Sequence, residues 1–129
     1  MTTPNASDLI LIDSSGWLEW VTDDTKAADF APHFERERFV IVPTIVIYEV
    51  YKKLLGGGGK FAADRFLSDA LRRQVVSLDE NLAVAAAAVG TEHRLAMADA
   101  IIYATARSSN AQLITSDPHF SGLPGVTLI

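Results

Sequence analysis

The run Leu9-Ile10-Leu11-Ile12 stops abruptly at Asp13, and Ser14-Ser15-Gly16 follow. A short, continuous apolar run bounded by small polar residues reads as a buried strand. In an open parallel sheet, ligands bind in the crevice beyond the carboxyl ends of the strands. An acid at that place is either the N-cap of the next helix or part of a site. Phe39-Val40-Ile41-Val42 is a second such run, closed by Pro43. Gln74–Leu78 and Ala111–Thr115 read as a third and fourth strand, and Val126–Ile129 as a short last one.

Helical segments lie between these runs. A short helix is expected around Ser14–Val21. A second, capped by Thr22 or Asp23, runs to about Glu37 with Phe30 and Phe34 four apart on one face. Thr44–Leu55 reads as a helix that Gly56–Gly59 ends, though its Ile-Val-Ile start also fits a strand, and Phe61–Arg73 is amphipathic. The four glycines lack the lysine and Ser/Thr of a phosphate-binding loop and read as a flexible hinge. Asp79 caps an alanine-rich helix, Glu80–Val89, that Gly90 breaks, and a further helix spans about Ala96–Ser108. Strands alternating with helices imply a parallel sheet with right-handed crossovers. The expected fold class is α/β, a single-domain α/β/α sandwich with a central parallel sheet over residues 1–129.

Composition narrows the chemistry. At 129 residues and 49% hydrophobic, the chain can bury a substantial core. Its mean hydropathy of +0.19 suits a sheet covered on both faces or an apolar surface used by a partner. Without cysteine there is neither a disulfide framework nor thiolate chemistry. The longest apolar runs, Phe39–Pro43, Ile45–Tyr48 and Leu82–Val89, fall far short of the roughly 20 residues of a spanning helix. Met1–Asn5 has no basic region leading into an apolar core, so a cytoplasmic protein is expected. The net charge of −5 argues against holding nucleic acid mainly through a basic surface. It does not speak against a site where divalent ions change the local charge.

Four acids stand out against their surroundings. Asp13 and Asp117 each follow a strand, and each also suits an N-cap, Asp117 with Pro118 behind it. Two parallel strands that end in acids can place both on one edge of the sheet. Glu49 lies in the apolar stretch Ile45–Tyr51, where the alternative is a surface pair with Lys53. Asp99 lies among small and apolar residues in Ala96–Ile102, where the alternative is a first-turn acid favoured by the helix dipole. Clustered carboxylates repel unless a cation joins them, and Mg²⁺ or Mn²⁺ suits hard oxygen ligands in a cleft. His33, His93 and His119 fall on separate elements, and no Ser–His–Asp set competes. His119 and Thr115 come nearest the four acids and rank second as site residues.

These motifs carry a family resemblance. Leu-Ile-Asp13-Ser-Ser, Glu49 after a Val-Pro-Thr turn, Ala-Asp99-Ala-Ile-Ile-Tyr-Ala-Thr-Ala and Leu-Ile-Thr115-Ser-Asp117-Pro-His-Phe120 resemble PIN-domain ribonucleases, especially VapC-type toxins of toxin–antitoxin pairs. The resemblance runs from Leu9 to about Ile129. It implies an acidic pocket binding Mg²⁺ or Mn²⁺ and metal-dependent hydrolysis of RNA to 5′-phosphate and 3′-hydroxyl ends. It makes Asp13, Glu49, Asp99 and Asp117 the catalytic, metal-binding acids, with Thr115 and Ser14 supporting them. It also implies a homodimer and a cognate antitoxin whose C-terminal segment occupies a groove near the site. Trp17, Trp20 and Phe30 are candidates for that groove or for the core. The scattered cations Lys52, Lys53, Lys60, Arg65, Arg72, Arg73 and Arg94 are available to steer RNA.

The alternatives fit less well. A receiver domain would need an acidic pair after the first strand and a lysine after the last, but Ser14-Ser15 follow Asp13 and no lysine lies beyond Lys60. A haloacid-dehalogenase-like phosphatase would need an Asp where Ser15 stands. A PIN-like RNA- or protein-binding module without catalysis is the remaining rival, and retention of all four acids argues against it.

Overall fold

A computed structural model describes residues 8–129. The Met1–Asn5 segment read for a leader lies outside the described residues. Five strands, β1 (Ile10–Ile12), β2 (Val40–Pro43), β3 (Gln74–Val76), β4 (Gln112–Thr115) and β5 (Val126–Leu128), form one sheet in the order β3-β2-β1-β4-β5. Every neighbouring pair is parallel. All residues of β1 and β2 and the last three of β4 are buried, as in a sheet covered on both faces. The described helices are α1 (Ser14–Val21), α2 (Ala27–Phe34), α3 (Thr44–Gly57), α4 (Gly59–Ala70), α5 (Glu80–His93) and α6 (Met97–Ser108). Two short 3₁₀ turns, Glu37–Phe39 and Pro118–Phe120, complete the order. None of the described helices is long and apolar enough to cross a membrane.

Three expectations are corrected. The second helix starts at Ala27 rather than at Thr22 or Asp23, because Asp23 takes a positive φ of 51° in a turn. It ends at Phe34, and Glu37 falls in a 3₁₀ turn. Its Phe30 and Phe34 are nevertheless both buried, as their spacing requires. Gly90 does not break α5, which runs on to His93 and is capped by Arg94 in the left-handed region. A Cβ at Gly90 would lie 3.1 Å from the Cβ of Ala100, so this glycine admits close packing of α6. The tetraglycine is not a free linker either. Gly56 and Gly57 continue α3, Gly58 caps it, and Gly59 opens α4 at φ 86°.

The main core joins β1, β2 and β4 to Trp17 of α1, Phe30 and Phe34 of α2, Val46, Val50 and Leu54 of α3 and Phe66 of α4. A smaller cluster, Leu82, Ala86, Ala100, Ile101 and Ala104, seals α5 against α6. Trp17 and Phe30 are thus core residues, with no exposure. Gly16 is where α1 meets this core: an added Cβ would lie 2.5 Å from Ile12 Cγ2 and 2.6 Å from Phe30 Cε1. Gly→Ala in a helix normally gains up to about 1 kcal/mol. Here overpacking of about 1–3 kcal/mol opposes that gain. Gly16→Ala is expected to lower the urea midpoint, with a net loss of about 1–2 kcal/mol. A midpoint raised by the substitution would contradict the packing.

Candidate active site at the carboxyl edge of the sheet

The strand order turns about β1: the chain moves outward to β2 and β3, then returns to place β4 on β1's other side. A reversal of this kind leaves a crevice between the two strands at their carboxyl ends. The register pairs Ile12 with Ile114, and the Asp13 N–H donates to the Ile114 carbonyl at 3.2 Å. Asp13 and Thr115 are therefore neighbours. The Thr115 hydroxyl donates to Asp13 Oδ2 at 2.6 Å, and the Asp117 N–H donates to the same hydroxyl oxygen at 2.9 Å. Asp13 Oδ1 accepts from the Ser15 hydroxyl at 2.7 Å and from the Gly16 N–H at 3.1 Å. Ser116 closes the seam with its hydroxyl 3.1 Å from that of Ser15.

Both strand-ending acids are caps as well as site candidates. Asp13 caps α1, and Asp117 Oδ1 accepts the His119 N–H at 2.9 Å to cap the Pro118–Phe120 turn. Capping fixes the orientation of each carboxylate. Glu49 lies in the second turn of α3, and its Oε1 accepts the Ser14 hydroxyl at 2.6 Å. That contact, between the first turn of α1 and α3, takes the place of the surface pair with Lys53. Asp99 stands in the first turn of α6, its side chain 21% exposed. His119 Nδ1 lies 3.1 Å from Asp117 Oδ1 and 3.6 Å from Asp99 Oδ2, so a protonated imidazole would bridge the two acids. Ser15 and Ser116 were not singled out from the sequence. Only Ser15's place, two residues after a strand-ending acid, marks it there.

Burial raises the pKa of the Asp13 carboxyl; the Thr115, Ser15 and Gly16 donors oppose this, and the charge of Asp117 adds to it. Burial also raises that of Asp99, helped by the negative charges of Asp117, Glu49 and Asp13 and opposed by His119. The other three acids thus all bear on the Asp99 carboxyl. Because the Asp99 carboxyl is raised in the folded chain, folding takes up protons as pH climbs past the ordinary carboxylate range. Stability then falls through that interval and stays reduced above it. Without divalent metal at pH 7, Asp99→Asn is expected to melt at a higher temperature than the wild type. The gap should close below about pH 4, where both states hold a neutral side chain. Equal melting temperatures across pH would contradict the electrostatics.

The donor set fits a hard divalent cation. One atom each from Asp99, Asp117 and His119 can be chosen so that all lie within 4.8 Å of one another. The two carboxylates of this set suit a hard divalent cation, and Asp13 and Glu49 are not part of it.

The sequence model of the PIN domain matches residues 10–126. The chain belongs to the PIN-domain family. Solved structures of similar fold include toxin–antitoxin proteins. A toxin–antitoxin complex from Klebsiella pneumoniae superposes with a TM-score of 0.76 at 24% identity, covering 92% of this chain and 95% of that one. The Sarcin-Ricin loop cleaving toxin VapC20 of Mycobacterium tuberculosis gives 0.76 at 20% identity, covering 91% and 96%. VapBC2 of Rickettsia felis, solved bound to a DNA fragment from its promoter, gives 0.73 at 15% identity, covering 94% and 97%. At these identities the likeness is one of fold. Among curated proteins no sequence matches the chain.

Proposed function

We propose that this PIN domain is a metal-dependent endoribonuclease, the toxin of a toxin–antitoxin pair, hydrolysing RNA phosphodiester bonds with Mg²⁺ or Mn²⁺. The carrying observation is the convergence of Asp13, Glu49, Asp99 and Asp117, whose charges act together on the Asp99 carboxyl. Asp13 and Asp99 would hold the ion, Glu49 would bind it directly or through water, and Asp117 would complete the pocket. When bound, the cation supplies Lewis acidity toward the phosphate and toward the attacking water.

The chain's own residues supply orientation. Thr115 and Ser15 fix the two oxygens of Asp13, and Ser14 holds Glu49 toward the crevice. His119, largely exposed beside Asp99 and Asp117, stands where the site opens to solvent. Neighbours of similar length solved as toxin–antitoxin assemblies support an antitoxin partner here, and a homodimer is part of the same proposal. A groove of about 630 Å³ lined by Trp20, Leu54, Phe61, Arg65 and Arg72 offers an apolar floor with basic rims for that antitoxin.

The test is incubation of a mixed RNA pool with Mn²⁺, with and without EDTA, followed by sequencing of the fragment ends. Cuts that need Mn²⁺ and leave 5′-phosphate and 3′-hydroxyl ends are expected. No cutting together with no Mn²⁺ binding by the folded protein would replace this reading with a non-catalytic RNA- or protein-binding module.

A further inference from the structure

Next to Glu49, α3 carries a surface that the acid pocket does not use. Tyr48, Glu49, Lys52, Lys53, Gly56 and Gly57 line a concavity of about 570 Å³. Tyr48 is 58% exposed, unusual for a large aromatic side chain on a helix that buries Val46, Val50 and Leu54 on its inner face. The ammonium of Lys52 lies 3.5 Å from the Tyr48 hydroxyl and 5.6 Å from the ring centroid. It therefore sits toward the hydroxyl end of the ring and leaves the ring centre open. Lys52 and Lys53 form no ion pair among the described residues, whereas Lys60, Arg72 and Arg73 are tied to carboxylates. Side chains added at Gly56 or Gly57 would meet nothing within 4 Å, so the last turn of α3 presents bare, approachable backbone.

We infer that this shelf binds single-stranded RNA beside the cleavage site, with one base stacked on Tyr48 and two backbone phosphates held by Lys52 and Lys53. The inference rests on the nuclease reading for its geometry, because the shelf adjoins the pocket through Glu49. An aromatic face flanked by unpaired cations suits an unpaired strand, whose bases stack without sequence-specific hydrogen bonds. A duplex would keep its bases within the stack and could not use Tyr48. Two adjacent cations that form no ion pair among the described residues locally favour a polyanion, with Glu49 on the pocket side of the same concavity. Gly56 and Gly57 then have a use, since side chains there would project into the path of the strand.

The test measures binding apart from cutting. A fluorescent single-stranded RNA 12-mer of mixed sequence is titrated in Ca²⁺ by anisotropy, against wild type, Tyr48→Ala, Tyr48→Phe and Lys52→Gln/Lys53→Gln. Tyr48→Ala is expected to weaken binding about tenfold, and Tyr48→Phe, which keeps the ring, to bind like wild type. The double variant should lower the slope of log K against log salt by about 1.4, two phosphates at roughly 0.7 each. Mn²⁺ binding and melting temperature should be unchanged in all three. If wild type binds but never cuts, with the same dependence on Tyr48 and the lysines, the nuclease reading fails and the shelf stands. RNA binding unaltered by Tyr48→Ala and by the double variant would overturn the shelf. So would loss of binding to a protein partner alone, with RNA affinity intact.

Discussion

Asp99→Asn and Asp13→Asn are each expected to lower Mn²⁺-dependent RNA cleavage by about a thousandfold while unfolding stays cooperative. Lewis-acid stabilisation is worth several kcal/mol, and each 1.36 kcal/mol is a factor of about ten. Asparagine keeps the shape and one acceptor oxygen but loses the charge that a divalent ion requires. Asp99 is the cleaner of the two. It is partly exposed and its charge is disfavoured in the fold, so the substitution removes a cost and weakens only the 3.6 Å approach of His119.

Asp13 differs because all three of its donors are committed. The Thr115 hydroxyl gives its proton to Oδ2 and accepts from the Asp117 N–H. An asparagine with its NH₂ toward Thr115 would leave that hydroxyl proton without an acceptor, while relief of a buried charge acts in the opposite direction. Stability should therefore change little in Asp13→Asn even as activity collapses. Circular-dichroism melts alongside fragment-end sequencing separate the two effects. Cleavage within about tenfold of wild type in Asp99→Asn would end the assignment of that residue.

The largest stability effect is expected at Trp17, where Trp17→Ala should cost about 3–5 kcal/mol. The indole is fully buried at the point where α1 meets two other helices. Its ring stands edge-on to Phe34 of α2 at 4.7 Å and to Phe66 of α4 at 5.2 Å. The Arg73 guanidinium lies 5.1 Å from its centroid, with the Arg73 side chain only 4% exposed and paired to Asp69 at 2.8 Å. Truncation to alanine would open a cavity among three helices and strip this buried cation of an aromatic face. Domains of this kind are stable by about 5–15 kcal/mol, so the variant should approach unfolding at 37 °C. Urea denaturation measures it, and a loss below about 1 kcal/mol would mean that the helices repack without the ring. Since α1 also carries Ser14 and Ser15, a milder variant such as Trp17→Phe should weaken cleavage only as far as it loosens α1.

Much of the architecture is legible along the chain because short-range physics decides it. Continuous apolar runs at Val40–Val42 and Leu113–Ile114 cannot stay exposed, and the polar punctuation after Ile12 and Thr115 can only end a strand. Asp79 caps α5 as expected, its Oδ1 accepting the Leu82 N–H at 2.8 Å. Glycine is where local reasoning fails. Gly90 looks like a break, yet α5 continues through it because α6 packs against it. Gly56 and Gly57 look like a linker, yet they extend α3. Propensity costs only about 1 kcal/mol per glycine, and helix–helix packing exceeds that.

The sequence by itself determined the kinds of element and their parallel arrangement, and it singled out the four candidate acids, since each stands out against apolar neighbours within a few residues. Only the tertiary structure decided which groups meet. The β1–β4 register sets Thr115 against Asp13, the approach of α1 to α3 gives Ser14 to Glu49, and the turn after β4 brings His119 between Asp99 and Asp117. These contacts join residues up to 102 positions apart. No local pattern encodes such contacts, because the whole core must close before the crevice exists.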